Sequence, residues 1–257
     1  MRVLTLQNVG VRYPGEDTAA IENVTFALER GEVIGIMGPS GCGKTTILNL
    51  ICGFLEPSSG RIKIGEVASS RLGAAVLVFQ EDSLFPWLRV SENVEYGLKQ
   101  RGVSASVAQD RRNELLHEVG LSNYADYWPK HLSGGMKKRV EVARALAVGP
   151  EILLLDEPFS GLDFIAKRKL QIWLERICSK FKTSTVFVSH DVDEVVSLCG
   201  RVLLMAGKPG TIVREIVIET DRASANCSGL LAGSSGSAVS YAQEIRSLFG
   251  ELDEHDY

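Results

Sequence analysis

The chain of 257 residues has no apolar run near the roughly 18 residues that a membrane-spanning helix needs. Its opening, Met1-Arg2-Val3-Leu4-Thr5-Leu6-Gln7-Asn8, turns polar too early for a secretory leader, so a cytosolic setting is expected. An excess of positive charge is also lacking. Lys and Arg number 28 against 32 Asp and Glu, a net charge of −4, which gives nucleic acid no electrostatic footing. There is no C-x-x-C pair. The five cysteines, at 42, 52, 178, 199 and 227, are odd in number and scattered. That speaks against disulfides or zinc ligands and for small buried residues in a reducing compartment.

Hydrophobic residues make up 45% of the chain and charged residues 23%, ordinary for a globular protein. The length suits one large α/β domain or a domain carrying an inserted subdomain. Against this background one stretch stands out. Gly38-Pro39-Ser40-Gly41-Cys42-Gly43-Lys44-Thr45-Thr46 has the G-x-x-x-x-G-K-[ST] spacing of a phosphate-binding loop. Val33-Ile34-Gly35-Ile36-Met37 before it reads as a buried strand, and Ile47-Leu48-Asn49-Leu50-Ile51 after it continues at helical spacing. A loop between strand end and helix start aims backbone N–H groups at one point, where the helix dipole also favours an anion. Its glycines let the backbone close around a phosphate. Lys44 then reaches the β- and γ-phosphates, and the Thr45 hydroxyl ligates Mg²⁺. A bound nucleoside triphosphate is expected. The guanine-reading N-K-x-D is missing, which argues against a GTPase.

Three further apolar runs repeat the pattern. Val76-Leu77-Val78-Phe79 ends at Gln80, Ile152-Leu153-Leu154-Leu155 at Asp156-Glu157, and Thr185-Val186-Phe187-Val188-Ser189 at His190. Such runs joined by helical segments predict a parallel sheet covered on both faces, which binds ligands outside the carboxyl ends of its strands. Each run therefore hands a polar residue to the edge that holds the phosphate loop. Asp156 is placed to hold Mg²⁺, and Glu157 to orient or deprotonate an attacking water. An acidic helix cap before Pro158 is the weaker alternative, because the phosphate loop needs a magnesium partner. A lone histidine such as His190 is by itself more often structural. His117, His131 and His255 carry no assignment. Weakly alternating stretches at 3–13, 21–28 and Arg61-Ile62-Lys63-Ile64 read as half-exposed antiparallel strands flanking the loop's own strand. Tyr13, in the turn Val11-Arg12-Tyr13-Pro14-Gly15, is either a packing residue or a platform for a base.

Between Gln80 and the Asp156 strand, approximately 84–149, lies a long helical stretch that suggests a subdomain, with helical character at Asn93–Gln100 and Asp110–Glu118. It opens on Ser83-Leu84-Phe85-Pro86-Trp87-Leu88, an apolar patch that is either core or a docking surface. It closes with Leu132-Ser133-Gly134-Gly135-Met136 and a helix over Lys137–Val148 whose Met136, Val140, Ala143 and Ala147 share one face. Ser133 suits an N-cap, and Gly134-Gly135 leave N–H groups open. This is a second anion-ready helix start on a chain with one phosphate loop.

Taken together, these residues resemble the nucleotide-binding subunit of an ABC transporter over roughly residues 3–218. The loop 38–46, the glutamine loop at Gln80, the signature Leu132-Ser133-Gly134-Gly135, the strand 152–157 ending in Asp156 and Glu157, the D-loop Ser160-Gly161-Leu162-Asp163 and the switch histidine His190 occur in family order. Met136 departs from the glutamine commonest there. The resemblance implies a P-loop NTPase of α/β class, with a mostly parallel core sheet, an N-terminal antiparallel β-subdomain and an inserted helical subdomain. It implies ATP and Mg²⁺ as cofactors, Gln80 as a further metal and nucleotide contact, adenine stacking by Tyr13 and γ-phosphate sensing by His190. It also implies a head-to-tail homodimer in which Ser133, Gly134 and Gly135 meet ATP held by the other copy and Asp163 bridges the two sites.

Phe79-Gln80-Glu81-Asp82-Ser83-Leu84-Phe85-Pro86-Trp87 and Met205-Ala206-Gly207-Lys208-Pro209-Gly210 are similar to importers of nitrate, sulfonate, taurine or bicarbonate. That likeness implies work on the cytoplasmic side of the membrane with a separate permease, contacted near Gln80–Leu88 through Leu84, Phe85 and Trp87, and with an external solute-binding protein. The alternatives are an ABC-type ATPase of another transport system and a soluble ABC ATPase acting on a macromolecule, which usually carries two cassettes in one chain or long coiled-coil insertions, neither of which the sequence shows. The expected division is an ATP-binding domain over 1–221 and a tail over 222–257. In the tail a Gly/Ser-rich linker (222–238) precedes one apolar helical face of Ala238, Tyr241, Ala242, Ile245, Leu248 and Phe249, then an acidic run.

Overall fold

The structure, a computed structural model, describes residues 1–65, 73–218 and 236–254. Most of the expected linker and the last three residues of the tail lie outside these. Two sheets carry the fold. Strands β1 (Arg2–Val11), β2 (Ile21–Glu29) and β4 (Ser59–Ile64) form an antiparallel sheet in the order β2-β1-β4. Strands β3 (Val33–Met37), β5 (Ala75–Val78), β6 (Ile152–Asp156), β7 (Ser184–Val188), β8 (Arg201–Ala206) and β9 (Thr211–Val217) form the second, in the order β5-β6-β7-β3-β8-β9. All its pairings are parallel except β8 with β9. The antiparallel strands thus build a sheet of their own and do not flank β3 within one sheet. The pair β8 and β9, unread from the sequence, extends the core sheet beyond β3.

The unbroken apolar runs follow from burial on both faces. In β6, Ile152 and Leu154 point into one core and Leu153 and Leu155 into the other. The first core is shared with the antiparallel sheet and with helix α1 (Lys44–Cys52), whose Ile47, Leu48, Leu50 and Ile51 are buried there. The second takes the remaining helices. These are α2 (Val90–Gln100), α3 (Ala105–Glu118) and α4 (Gly134–Ala147), inserted between β5 and β6; then α5 (Phe164–Phe181) and α6 (Val192–Leu198). The last helix, α7 (Gly236–Glu254), lays Ala242 and Ile245 against this core beside α6, and Arg246 pairs with Asp193 at 2.6 Å. Of the apolar face read in the tail, Tyr241, Ala242, Ile245, Leu248 and Phe249 therefore pack on the chain's own domain.

Among the described residues no helix is long and apolar enough to cross a membrane. Cys42, Cys178 and Cys199 are buried, as small apolar residues are. Burial pushes the thiol of Cys178 up to about 11 and that of half-buried Cys52 up to about 12. Cys227 lies outside the described residues.

Candidate functional site

The phosphate loop leaves β3 and enters α1 as its spacing predicts, and its glycines are there for space. Gly43 caps α1 in the left-handed region, φ 94°, and a methyl group on it would stand 2.2 Å from Ile21 Cγ2. One on Gly38 would stand 2.4 Å from the Met205 carbonyl oxygen. The loop is pressed against β2 and β8 from behind while Ser40, Gly41 and Thr45 stay exposed. Lys44 Nζ donates to the Gly38 and Pro39 carbonyls at 2.7 and 2.8 Å, so its ammonium lies across the loop opening. Cys42 is buried beneath, and Thr46 is buried with its hydroxyl 3.1 Å from that of Tyr13. Tyr13 is therefore fixed beside the loop by its polar end.

The carboxyl ends of β5, β6 and β7 converge as expected. Glu157 follows β6 and is the centre of the cluster. Its Oε2 accepts from Gln80 Nε2 at 3.2 Å, and its Oε1 lies 3.1 Å from His190 Nδ1. Gln80 Nε2 also reaches Ser160 Oγ at 3.4 Å, a contact not read from the sequence. The Glu157 backbone has φ 42°, a left-handed conformation costing a non-glycine residue about 1–3 kcal/mol. It is held there by Glu157 N donating to Val188 O at 3.0 Å and by Ser160 N donating to Glu157 O at 3.1 Å. No helix starts at Pro158; the chain turns through 157–162, and α5 begins only after Asp163. Beside this cluster, burial and then the neighbouring Glu157 charge raise the Asp156 carboxyl above its ordinary 3.8, with Lys44 acting in the opposite direction.

Behind His190 lies a group that sequence reading missed. Ser189 Oγ donates to Glu194 Oε2 at 2.5 Å, and Lys167 Nζ bridges Asp191 Oδ2 (2.5 Å) and Glu194 Oε1 (2.6 Å). Lys167 stands on the first turns of α5, so this bridge ties the helix begun by Asp163 to the turn that carries His190. Burial alone would raise the Asp191 carboxyl, but its hydrogen bond and charge contact with Lys167 bring it below its ordinary value. A lysine four residues past Asp163 and the three acids Asp191, Asp193 and Glu194 just after His190 were the available signal.

The remaining expected residues stand apart from the loop. Ser133 caps α4, its Oγ accepting from Met136 N at 3.4 Å, and both Ser133 and Gly134 are exposed. A methyl on Gly135 would meet nothing within 4 Å. Asp163 caps α5, accepting from Ile165 N and Ala166 N at 3.0 and 2.9 Å, next to exposed Phe164. Among the described residues no hydrogen bond joins Ser133 or Asp163 to the phosphate loop. The apolar patch divides: Leu84 is only 8% exposed and belongs to the core, so it is no surface contact, whereas Trp87 is 68% exposed. Phe85 is half-buried, its ring centroid 4.6 Å from that of Tyr96 and tilted by 50°, and lines a groove of about 380 Å³ with Val76, Phe79, Gly97 and Val148.

The match of residues 21–160 to the family described as ABC transporter, over this fold and loop, decides the kinship. The chain belongs to the ABC transporter family. This ABC protein is 45% identical over 201 residues to the taurine import ATP-binding protein TauB of Rhizobium johnstonii, covering 77% of this chain and 76% of that one. It is 42% identical over 200 residues to the nitrate import ATP-binding protein NrtD of Synechocystis sp., covering 77% and 75%. Among solved structures it is similar to the ATP-binding cassette MJ0796, a dimer in a post-hydrolysis state bound to ADP and Pi (TM-score 0.71, 31% identity, 84% of this chain and 99% of that one). It is also similar to CbiO1 of Clostridium perfringens, part of the ABC transporter complex CbiONQ (TM-score 0.76, 28% identity, 83% and 88%). The ABC chain is thus an ATP-binding protein with the fold and activity class of an ABC ATPase.

Proposed function

We propose that this chain is the ATP-hydrolysing subunit of an importer for a small oxyanion, of the nitrate, sulfonate/taurine or bicarbonate kind, with Glu157 activating the attacking water. The hydrolytic half of this reading is carried by the Glu157 carboxylate, held at once by Gln80 (3.2 Å) and His190 (3.1 Å), and the import half by the likeness to TauB and NrtD. Fixed on both oxygens, it can orient a water and accept its proton, a role worth roughly 10²–10⁴-fold in rate. Gly38, Pro39, Ser40, Gly41, Cys42, Gly43 and Thr46 cradle the phosphates through the loop backbone, Lys44 turns from its own carbonyls to the β- and γ-oxygens, and Tyr13 supports the adenine.

Thr45, Gln80 and Asp156 offer hydroxyl, amide and carboxylate oxygens, a donor set that suits Mg²⁺. Asp156, whose carboxyl is raised above its ordinary 3.8 by burial and by the adjacent Glu157 charge, gains from a nearby cation. Among the described residues no group of three or more His, Cys, Asp or Glu side chains could hold a metal unaided, as fits an ion that shares its coordination with substrate phosphates. When bound, Mg²⁺ supplies charge neutralisation at the phosphoryl group.

Two copies complete each site. Ser133, Gly134 and Gly135 of one copy close over the triphosphate held by the other, with Asp163 between the sites. The groove beside Phe85, whose ring lies 5.5 Å from that of exposed Trp87, receives a permease helix on the cytoplasmic side of the membrane, while an external binding protein delivers the solute to the permease from the opposite side. The test is Glu157→Gln. It should keep ATP binding within about twofold while hydrolysis falls by at least 10²-fold. Hydrolysis at the normal rate would remove Glu157 from the role.

A further inference from the structure

Helix α4 runs from its exposed start past the chain segment that carries Gln80. At its start stands Ser133. Along its side, Lys138 and Glu141 form an ion pair of 2.8 Å, with side chains only 6% and 0% exposed. Neither charge faces water; both face the chain segment that carries Gln80. Lys138 Nζ donates to the backbone carbonyls of Phe79 (2.9 Å) and Gln80 (3.2 Å). Glu141 Oε1 accepts from Ser83 N (2.5 Å) and from Ser83 Oγ (3.2 Å). Arg144, one turn on, donates to Ser83 O (2.8 Å) and Oγ (2.7 Å), with its guanidinium 5.1 Å over the Phe85 ring in the groove. Beyond the clasp, the Gln80 amide reaches Glu157.

We infer that Lys138 and Glu141 are positioning residues: this buried pair holds the backbone of residues 79–83 so that the Gln80 amide stays on the Glu157 carboxylate, and it links α4 and the groove to the hydrolytic water. A buried ion pair adds little stability compared with an apolar pair of equal volume, so its worth here is geometric. Two carbonyls of consecutive residues pinned by one ammonium leave Gln80 little freedom to swing away. Placement errors of about 1 Å at a reacting group can cost 10²-fold in rate, so loosening Gln80 should be read in turnover. The inference rests on the assignment of Glu157 above.

The experiment replaces the pair by an apolar one, Lys138→Met with Glu141→Leu, in the full chain. Expected are an unchanged thermal midpoint and unchanged affinity for a non-hydrolysable ATP analogue, with kcat down about tenfold at constant KM. The neutral pair Lys138→Gln with Glu141→Gln keeps a donor and an acceptor in place and should restore kcat to within about threefold of the parent. The deciding readout is a cycle with Gln80→Ala. If the pair acts through Gln80, the combined variant is no slower than Gln80→Ala alone; fully additive losses, or a folded Met/Leu variant with parental kcat, overturn the inference. Should the Met/Leu protein not fold, Ser83→Ala, which removes the hydroxyl shared by Glu141 and Arg144, is judged by the same cycle. Failure of the Glu157 assignment would appear separately, as normal hydrolysis by Glu157→Gln.

Discussion

The two anion-ready helix starts, before α1 and before α4, are built in opposite ways. The first is enclosed: Gly43 and Gly38 are packed so closely against Ile21 and Met205 that neither could carry a Cβ, and Lys44 lies across the opening. The second is open: Ser133 and Gly134 are exposed, and space remains around Gly135. An enclosed cradle fixes a phosphate with its own chain. An open one, whose only side-chain cap is a 3.4 Å bond from Met136 N to Ser133, has groups to spare for another molecule. Under the proposed function, this contrast is how one polypeptide holds most of a nucleotide site and takes the rest from a second copy.

The sharpest way to break this comparison is a methyl group in each cradle. Gly43→Ala forces a Cβ against Ile21 in a left-handed backbone. The overpacking and left-handed penalty, about 3 kcal/mol, is relieved if the loop backbone shifts off its phosphate-binding geometry; where holding ATP requires that geometry to be restored, ATP-analogue affinity measured by titration should fall by up to about 100-fold. Binding within threefold of the parent would mean that the cradle is not closed. Gly135→Ala meets open space, and alanine is the better helix former, so the thermal midpoint should hold or rise slightly. Analogue binding to the isolated chain should stay unchanged while steady-state hydrolysis falls about tenfold, because only the paired site feels the new methyl. A loss of stability instead would show that the second cradle is as tightly packed as the first.

The enclosed cradle was also the more legible. A phosphate loop declares itself by local spacing, and the runs ending at Gln80, Asp156 and His190 were readable because strands covered on both faces must be apolar throughout. The sheet partners were harder. Nothing local in 3–13 or 21–28 says whether an antiparallel strand joins β3 or forms its own sheet, and at β8 and β9 only the connecting stretch Met205–Gly210 drew notice, for its likeness to importers and not as a turn between strands. The patch at 84–87 reads as uniformly apolar, yet Leu84 turns inward and Trp87 outward, a choice made by the tertiary packing of α2 and α4. The clasp of Lys138 and Glu141 was invisible for a related reason. Charges three apart on a helix normally mark a solvated face, and only the fold shows that this one is covered.

The smallest expected effect separates the cradles by charge. The enclosed one draws carboxylates from β6; the start of α4 has no acidic residue in its first turn. Burial, reinforced by Glu157, raises the Asp156 pKa above 3.8 in the folded chain, so the folded state binds that proton more tightly than the unfolded state does. Stability from this group is therefore greatest at low pH, falls as pH rises from near 3.8 through the raised value, and stays reduced above it. Asp156→Asn should remove that penalty and raise the midpoint by about 1–3 °C at neutral pH without Mg²⁺, the small size reflecting solvent access to the carboxylate. The gain should shrink as the scan moves to acid. The effect of Ser133→Ala on the midpoint, in contrast, should not vary with pH, since no carboxylate on its turn titrates. A less stable Asp156→Asn protein at neutral pH would show that the chain's own groups already satisfy this carboxylate, leaving no local charge imbalance for a bound cation to relieve.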